Sequence, residues 1–340
     1  MGDGTPKSTT RAQKILRRTL VGGSIALLTA GMLYVVRGES GPQIVHGLVA
    51  LLLVGSVFEA SRMSEDVRRT AWSLGAAAVM GWALAFDHLQ ECACGQLDLA
   101  FLRRLTCASL SMALVASAVT PILSRRFGSA VALPLCCVAF WMIYTAPPGK
   151  LEAVFFSVLL FVALLGARPG AARQPFRDVL ADVARALWLV PALSGLALLH
   201  MEFGQAGLVS LIVLSKVGDV FGYFGGSLFG RHHPLPKLSP GKTTEGFACS
   251  LLGGVGVGVA LAQWGVLPGE DVSLASGALL GGIMNVAAQA GDLFESWVKR
   301  GAGRKDSGGT FGPSGGFLDL LDSFFLTIPV ALLIGLLTRG

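Results

Sequence analysis

Apolar runs of about twenty residues recur along nearly the whole chain, each separated from the next by a short polar or charged segment. Coiled at ~1.5 Å per residue, a run of that length spans the ~30 Å hydrocarbon layer of a bilayer. Lipid offers no hydrogen-bond partners, so each run must satisfy its own backbone groups, which a helix does. The expected fold is therefore all-α, a polytopic α-helical membrane protein. The runs fall at roughly 19–36, 42–60, 70–86, 105–124, 129–147, 151–167, 187–201, 206–229, 246–267, 272–297 and 318–338. The shortest are the weakest, giving about 9–11 transmembrane helices. With 53% hydrophobic and only 14% charged residues, the composition excludes an ordinary soluble domain. The net charge of +6 would point to nucleic acid in a soluble chain. Here the basic residues sit in loops without interleaved aromatics, so no nucleic-acid partner is expected.

The loop charges orient the chain. With the basic N-terminus (residues 1–18) in the cytoplasm, the basic residues of the outer segments are Arg37, Arg103, Arg104, Lys150 and Arg339 alone. All the others, apart from Lys216 within a span, fall inside, as the positive-inside rule requires. Cys92 and Cys94 then face outward, where a disulfide is permitted; as a Cys-x-Cys pair with no histidine nearby they make a poor zinc site. Between the sixth and seventh spans, Phe176, Val179, Leu180, Val183, Ala184 and Leu187 recur at helical spacing. This segment is either an amphipathic helix on the inner surface or an N-terminal extension of span seven.

The first six spans carry no acid in their interiors, whereas Asp219, Asp292, Asp319 and Asp322 all lie in or at the ends of the later ones. The organisation expected is thus an N-terminal transmembrane scaffold (19–170) and a catalytic transmembrane region (171–340) with cytoplasmic loops at 230–245 and 298–317. In the last of these loops, an apolar helix carrying Asp292 and Glu295 runs into a glycine-rich stretch holding Lys299, Arg300, Arg304, Lys305 and Asp306. The next helix carries Asp319 and Asp322 on one face, three residues apart. Carboxylates suit a hard divalent cation, and lysines, arginines and glycine amides suit phosphates. The same charges could equally be a solvated loop that sorts topology. A second constellation lies in span eight, where Lys216 and Asp219 are one turn apart, as a structural ion pair or a functional one. Glycines 222, 225, 226 and 230 follow at a spacing that permits close helix packing. The loop beyond them offers Ser239, Lys242, Thr243 and Glu245. Its Gly241-Lys242-Thr243 triplet is no P-loop, because proline stands at 236 and no strand precedes it. Both loops lie inside by the charge count, so they can meet at one mouth.

These residues resemble the phosphatidate cytidylyltransferases, or CDP-diacylglycerol synthases. Ser296, Val298, Lys299, Arg300, Lys305, Asp306, Gly308, Gly315, Gly316, Asp319 and Asp322 match that family's C-terminal signature in register. Asp219 with Tyr223, Gly230 and the run Ser239 to Gly246 are similar to it as well, and Phe58-Glu59 is a weak further echo. The signature histidine is Ser314 here, and the arginine between the last two acids is Leu320.

The resemblance implies transfer of a cytidylyl group from CTP to phosphatidate with Mg²⁺, making CDP-diacylglycerol and pyrophosphate for phospholipid synthesis. It also implies a homodimer in the bacterial plasma membrane with its site facing the cytoplasm. On that reading Asp292, Asp319 and Asp322 hold one or two metal ions. Lys299, Arg300, Lys305 and Asp306 complete the catalytic set. Asp219, Tyr223, Ser239, Lys242, Thr243, Glu245 and Ser296 line the substrate pocket. A related CTP-dependent lipid enzyme, such as a CDP-archaeol synthase or a polyprenol kinase, is the nearest alternative, and an ion-coupled transporter a more distant one.

Overall fold

The computed structural model describes residues 30–31, 33–38, 40–64, 66–91, 99–127, 174–269, 272–311 and 315–339. The spans expected at 129–147 and 151–167, most of the one at 19–36, Cys92, Cys94 and Ser314 lie outside the described residues. Every regular element among the described residues is a helix. In order they are α1 (Gly41–Arg62), α2 (Val67–Glu91), α3 (Leu99–Phe127), α4 (Gln174–Phe229), α5 (Thr244–Gln263), α6 (Leu274–Gly301), the short α7 (Phe317–Leu321) and α8 (Phe324–Arg339). Six stretches are long and apolar enough to cross a membrane: in α1, α3, α4, α5 and α6, and across α7 and α8 together. The chain is thus a multi-pass α-helical membrane protein. The run at 70–86 is helical as part of α2 but falls short of the six, its apolar character diluted by Thr70, Ser73 and two tryptophans.

α4 is the central post. At 56 residues it is far longer than a bilayer is thick. Gly204 (φ 58°, ψ −151°) breaks it into arms at 174–203 and 205–229. That left-handed backbone is strained for any residue with a Cβ. The first arm takes in the amphipathic segment without interruption, so this segment extends span seven and is not a separate surface helix. Its anchor is Asp182, fully buried, which accepts hydrogen bonds from Thr70 Oγ1 (2.7 Å), Ser117 Oγ (2.8 Å), Arg69 Nε (3.0 Å) and Arg185 Nη1 (3.0 Å). A carboxylate survives burial only with compensation of this kind. The donors come from α2, α3 and α4, so one charge pins the front of the bundle to its post. Leu189, Leu193 and Leu199 of this arm share a core with Leu53, Leu74, Met112 and Phe325.

The second arm packs through its glycines. A Cβ on Gly222 would stand 3.4 Å from the Gly246 carbonyl oxygen, and one on Gly226 would stand 3.0 Å from Thr243 Oγ1. α5 and α6 meet in the same way, Gly254 and Gly258 against Gly277 and Gly281; a Cβ on Gly281 would lie 3.0 Å from the Gly258 Cα. Small residues let helices approach within lipid, where dispersion and hydrogen bonding replace the hydrophobic drive. Asn285 of α6 supplies the hydrogen bonding, donating to Ser250 Oγ at 3.0 Å and accepting from Gln289.

Candidate active site

Local signals set the ends of the helices around the site. Thr243 caps α5, its hydroxyl accepting from the Gly246 amide at 3.1 Å, and Ser273 caps α6 through the Ser276 amide at 3.0 Å. α6 ends with Lys299 and Arg300 in its last turn, where cations meet the negative end of the helix dipole. α7 opens at Gly316, whose amide donates to Asp319 Oδ2 at 2.9 Å.

Three ammonium groups organise the acids that these helices bring together. Lys216 Nζ donates to Asp322 Oδ1 at 3.1 Å and lies 3.9 Å from Asp219, so its nearer partner is 106 residues away and not its helical neighbour. Lys242, from the loop between α4 and α5, donates to Asp292 Oδ2 at 3.2 Å. Lys299 lies 2.6 Å from both Glu295 and Asp319. The approach is close because Gly291 has no side chain: a Cβ there would stand 2.6 Å from the Asp322 carbonyl oxygen. The glycine before Asp292 thus lets α6 touch the start of α8 and sets Asp292 beside Asp322. Lys242 meeting Asp292 ties the loop between α4 and α5 to α6.

A residue outside the sequence-derived set holds the glycine-rich loop. Glu59 of α1 is buried and accepts from Ser307 Oγ (3.1 Å), Thr310 Oγ1 (2.8 Å) and the Leu318 amide (3.0 Å). A Cβ on Gly316 would overlap its carboxylate, and one on Gly308 would crowd it. Gly315, at φ 87°, is likewise filled from the other side by Asp319. These glycines let two carboxylates lie against bare backbone. Asp319 Oδ2 also accepts from the Ser307 amide (3.0 Å) and hydroxyl (2.7 Å), so Ser307 bridges Glu59 and Asp319. The faint Phe58-Glu59 echo was the one sequence signal for this contact. Glu295 and Lys216, both visible in the sequence, belong to the same network.

The remaining candidates occupy its rim. Asp219, Tyr223, Lys242 and Thr243 line a cavity of about 210 Å³ together with Gly222 and Gln289. Ser239 sits in the turn below it, its carbonyl accepting from the Lys242 amide at 3.2 Å. Glu245 is spent on the loop itself, accepting from the amides of Arg231 (3.1 Å) and His232 (3.3 Å) and lying 2.7 Å from His232 Nδ1. Arg300 donates to the Arg304 carbonyl at 3.0 Å; Lys305 and Asp306 are exposed and Ser296 is half-buried. Leu320 is half-buried within α7.

The three acids expected to share a metal are not gathered into one cage. Among the described residues no group of three His, Cys, Asp or Glu side chains is placed to hold an ion. Asp292 and Asp322 stand on the Lys216 and Lys242 side, whereas Asp319 has both oxygens engaged by Lys299, Ser307 and Gly316. The donor set nevertheless suits a divalent cation. Five acidic side chains (Asp219, Asp292, Glu295, Asp319 and Asp322) face three ammonium groups, two more acids than bases. Asp292 Oδ1 and Glu295 Oε1 are buried without a hydrogen-bond partner. A small hard cation that keeps phosphate oxygens in its shell needs only one or two carboxylates from the protein.

Sequence comparison places this geometry. The sequence model of the cytidylyltransferase family matches residues 16–337. The chain belongs to the cytidylyltransferase family. Its relatives include the phosphatidate cytidylyltransferase of Mycobacterium bovis, 36% identical over 180 residues that cover 51% of this chain and 58% of that protein. The enzyme of the same name from Thermotoga maritima is 28% identical over 217 residues, 63% of this chain and 79% of that one. Phosphatidate cytidylyltransferase 4 of Arabidopsis chloroplasts is 40% identical over 131 residues, 36% and 32% of the two chains. The chain spans little more than half the length of the first mycobacterial relatives it matches.

Proposed function

We propose that the protein transfers a cytidylyl group from CTP to phosphatidate, releasing pyrophosphate. The observation that carries this reading is the set of ion pairs in which Lys242, from the loop before α5, holds Asp292 of α6, and Lys299 of α6 holds Asp319 of α7, so that α6 draws residues of both polar stretches to itself. Membership of the family and the names of its relatives support the substrates.

In the reaction, an oxygen of the phosphatidate monoester forms a bond to the α-phosphorus of CTP. The bond from that phosphorus to the oxygen shared with the β-phosphate breaks, and pyrophosphate leaves with the electron pair. The attacking oxygen is already anionic near neutral pH, with a second pKa of about 6. No general base is required, and Ser314 in place of the family histidine removes no obligatory proton carrier. What the chain must supply is alignment and positive charge. Lys242 and Lys299, each poised on a carboxylate, turn toward phosphate oxygens when nucleotide and lipid enter. Arg300 and Lys305, exposed on the glycine-rich loop, meet the same charge from the solvent side. Asp219, Tyr223, Ser239 and Thr243 shape the nucleotide cavity. Asp292 and Asp322 would hold a divalent cation, which when bound neutralises phosphate charge. Asp319 positions Lys299 and the loop. The basic character of both loops supports a site on the cytoplasmic face.

The test is pyrophosphate release by the purified protein in detergent, with CTP, Mg²⁺ and phosphatidate present or withheld. Release that requires the lipid and falls at least about a hundredfold in Lys242→Ala supports the proposal. Release without lipid, or unchanged in the variant, contradicts it.

A further inference from the structure

On the far side of α6 from Asp292, Glu295 and Lys299 lies a cavity of about 650 Å³ that the reaction does not use. Arg62, Arg69, Arg185 and Arg304 reach it from four different segments, and among the described residues that line it there is no carboxylate. Asp182 behind it ties down Arg69 and Arg185. No carboxylate among the described residues pairs with Arg62 or Arg304; Arg62 lies 4.8 Å over the Phe58 ring. The opposite wall is a ladder of Trp188, Phe294 and Trp297, with successive ring centroids 5.4 and 5.7 Å apart. Trp188 is buried, and its indole Nε1 has no hydrogen-bond partner. A donor so enclosed is costly unless something accepts from it.

We propose that this cavity is a second lipid-phosphate site, binding the headgroup of an anionic phospholipid apart from the reaction centre. Guanidinium groups grip phosphate through paired, charge-assisted hydrogen bonds, and Arg62 and Arg304 bring the uncompensated charge. A free phosphate would leave the aromatic wall idle, whereas a phospholipid lays its glycerol and upper acyl chains along it. Exposed Trp297, at the polar end of a spanning helix, lies where tryptophan marks the membrane–water interface.

The experiment places the full chain in phosphatidylcholine nanodiscs with rising fractions of acyl-brominated phosphatidylglycerol, without CTP. Quenching of Trp188 and Trp297 is read against a Trp188→Phe/Trp297→Phe variant that subtracts the other tryptophans. The proposal expects half-quenching at a mole fraction about tenfold lower for the anionic lipid than for brominated phosphatidylcholine. It expects Arg62→Gln/Arg304→Gln to erase that preference while leaving the thermal unfolding midpoint in place, since both residues are exposed. Glycerol phosphate in the buffer should not relieve the quenching. Equal quenching by the two lipids, or an unaltered preference in the double variant, overturns the proposal. Full relief by glycerol phosphate overturns it too, making the cavity a site for soluble phosphates.

Discussion

Asp292 and Asp319 look equivalent in the sequence, two acids of one signature region, yet their surroundings differ. Asp292 keeps one buried oxygen without a partner, whereas Asp319 is saturated by donors. Asp292→Asn is therefore expected to raise the Mg²⁺ concentration for half-maximal activity about tenfold or more, as ligand loss does. Asp319→Asn should lower kcat and leave the Mg²⁺ requirement within about twofold, because it loosens Lys299 and the loop. Titrating Mg²⁺ in the cytidylyl-transfer assay separates the two. A chelator should abolish activity, and added Mg²⁺ should restore it. Glu59 is the residue that sequence reasoning undervalued: a lone acid at the end of an apolar run carries no pattern, and its loop partners lie some 250 positions away. Glu59→Gln keeps the shape but weakens three hydrogen bonds to a buried carboxylate, each worth about 1.5–3 kcal/mol. Faster proteolytic cleavage between 302 and 316, with a fall in kcat, is the expected outcome; intact protection of the loop would count against its role.

The helices themselves were legible because bilayer thickness dictates their length and glycine spacing announces where they touch. The boundaries of α5, of α6 and of α7 and α8 taken together fall close to the apolar runs that predict them. What periodicity could not decide was whether 176–187 stands alone, since the same amphipathic pattern serves a surface helix and a buried extension. The choice rests on Asp182, whose partners Thr70 and Ser117 come from other helices. The glycine contacts are open to a direct check. Gly281→Leu would drive its side chain into the α5 backbone, where Gly254 and Gly258 leave no room. Overpacking of this kind costs about 1–3 kcal/mol or more, and backbone cannot step aside as a flexible side chain would. The thermal unfolding midpoint in detergent should fall by several degrees, about 2–4 °C per kcal/mol at this size. Gly256→Leu, which meets nothing within 4 Å, should leave it unchanged.

At the scale of the molecule, the expectation that two distant loops share one mouth rests on charge counting, and the contact of Lys242 with Asp292 ties the first loop to the helix that leads into the second. The bundle is divided around α6. One face carries the acids and lysines of the reaction, and the other turns four arginines and an aromatic ladder toward a separate cavity. The measurement that tests the account most directly follows the label of CTP marked at either the α- or the γ-phosphate, with phosphatidate, Mg²⁺ and the purified protein. The account predicts that α-label moves into the lipid fraction while γ-label leaves as pyrophosphate, and that at limiting Mg²⁺ both transfers slow together in Asp292→Asn. γ-Label entering the lipid would mark a kinase, and lipid left unlabelled by either nucleotide would contradict the cytidylyl-transfer reading altogether.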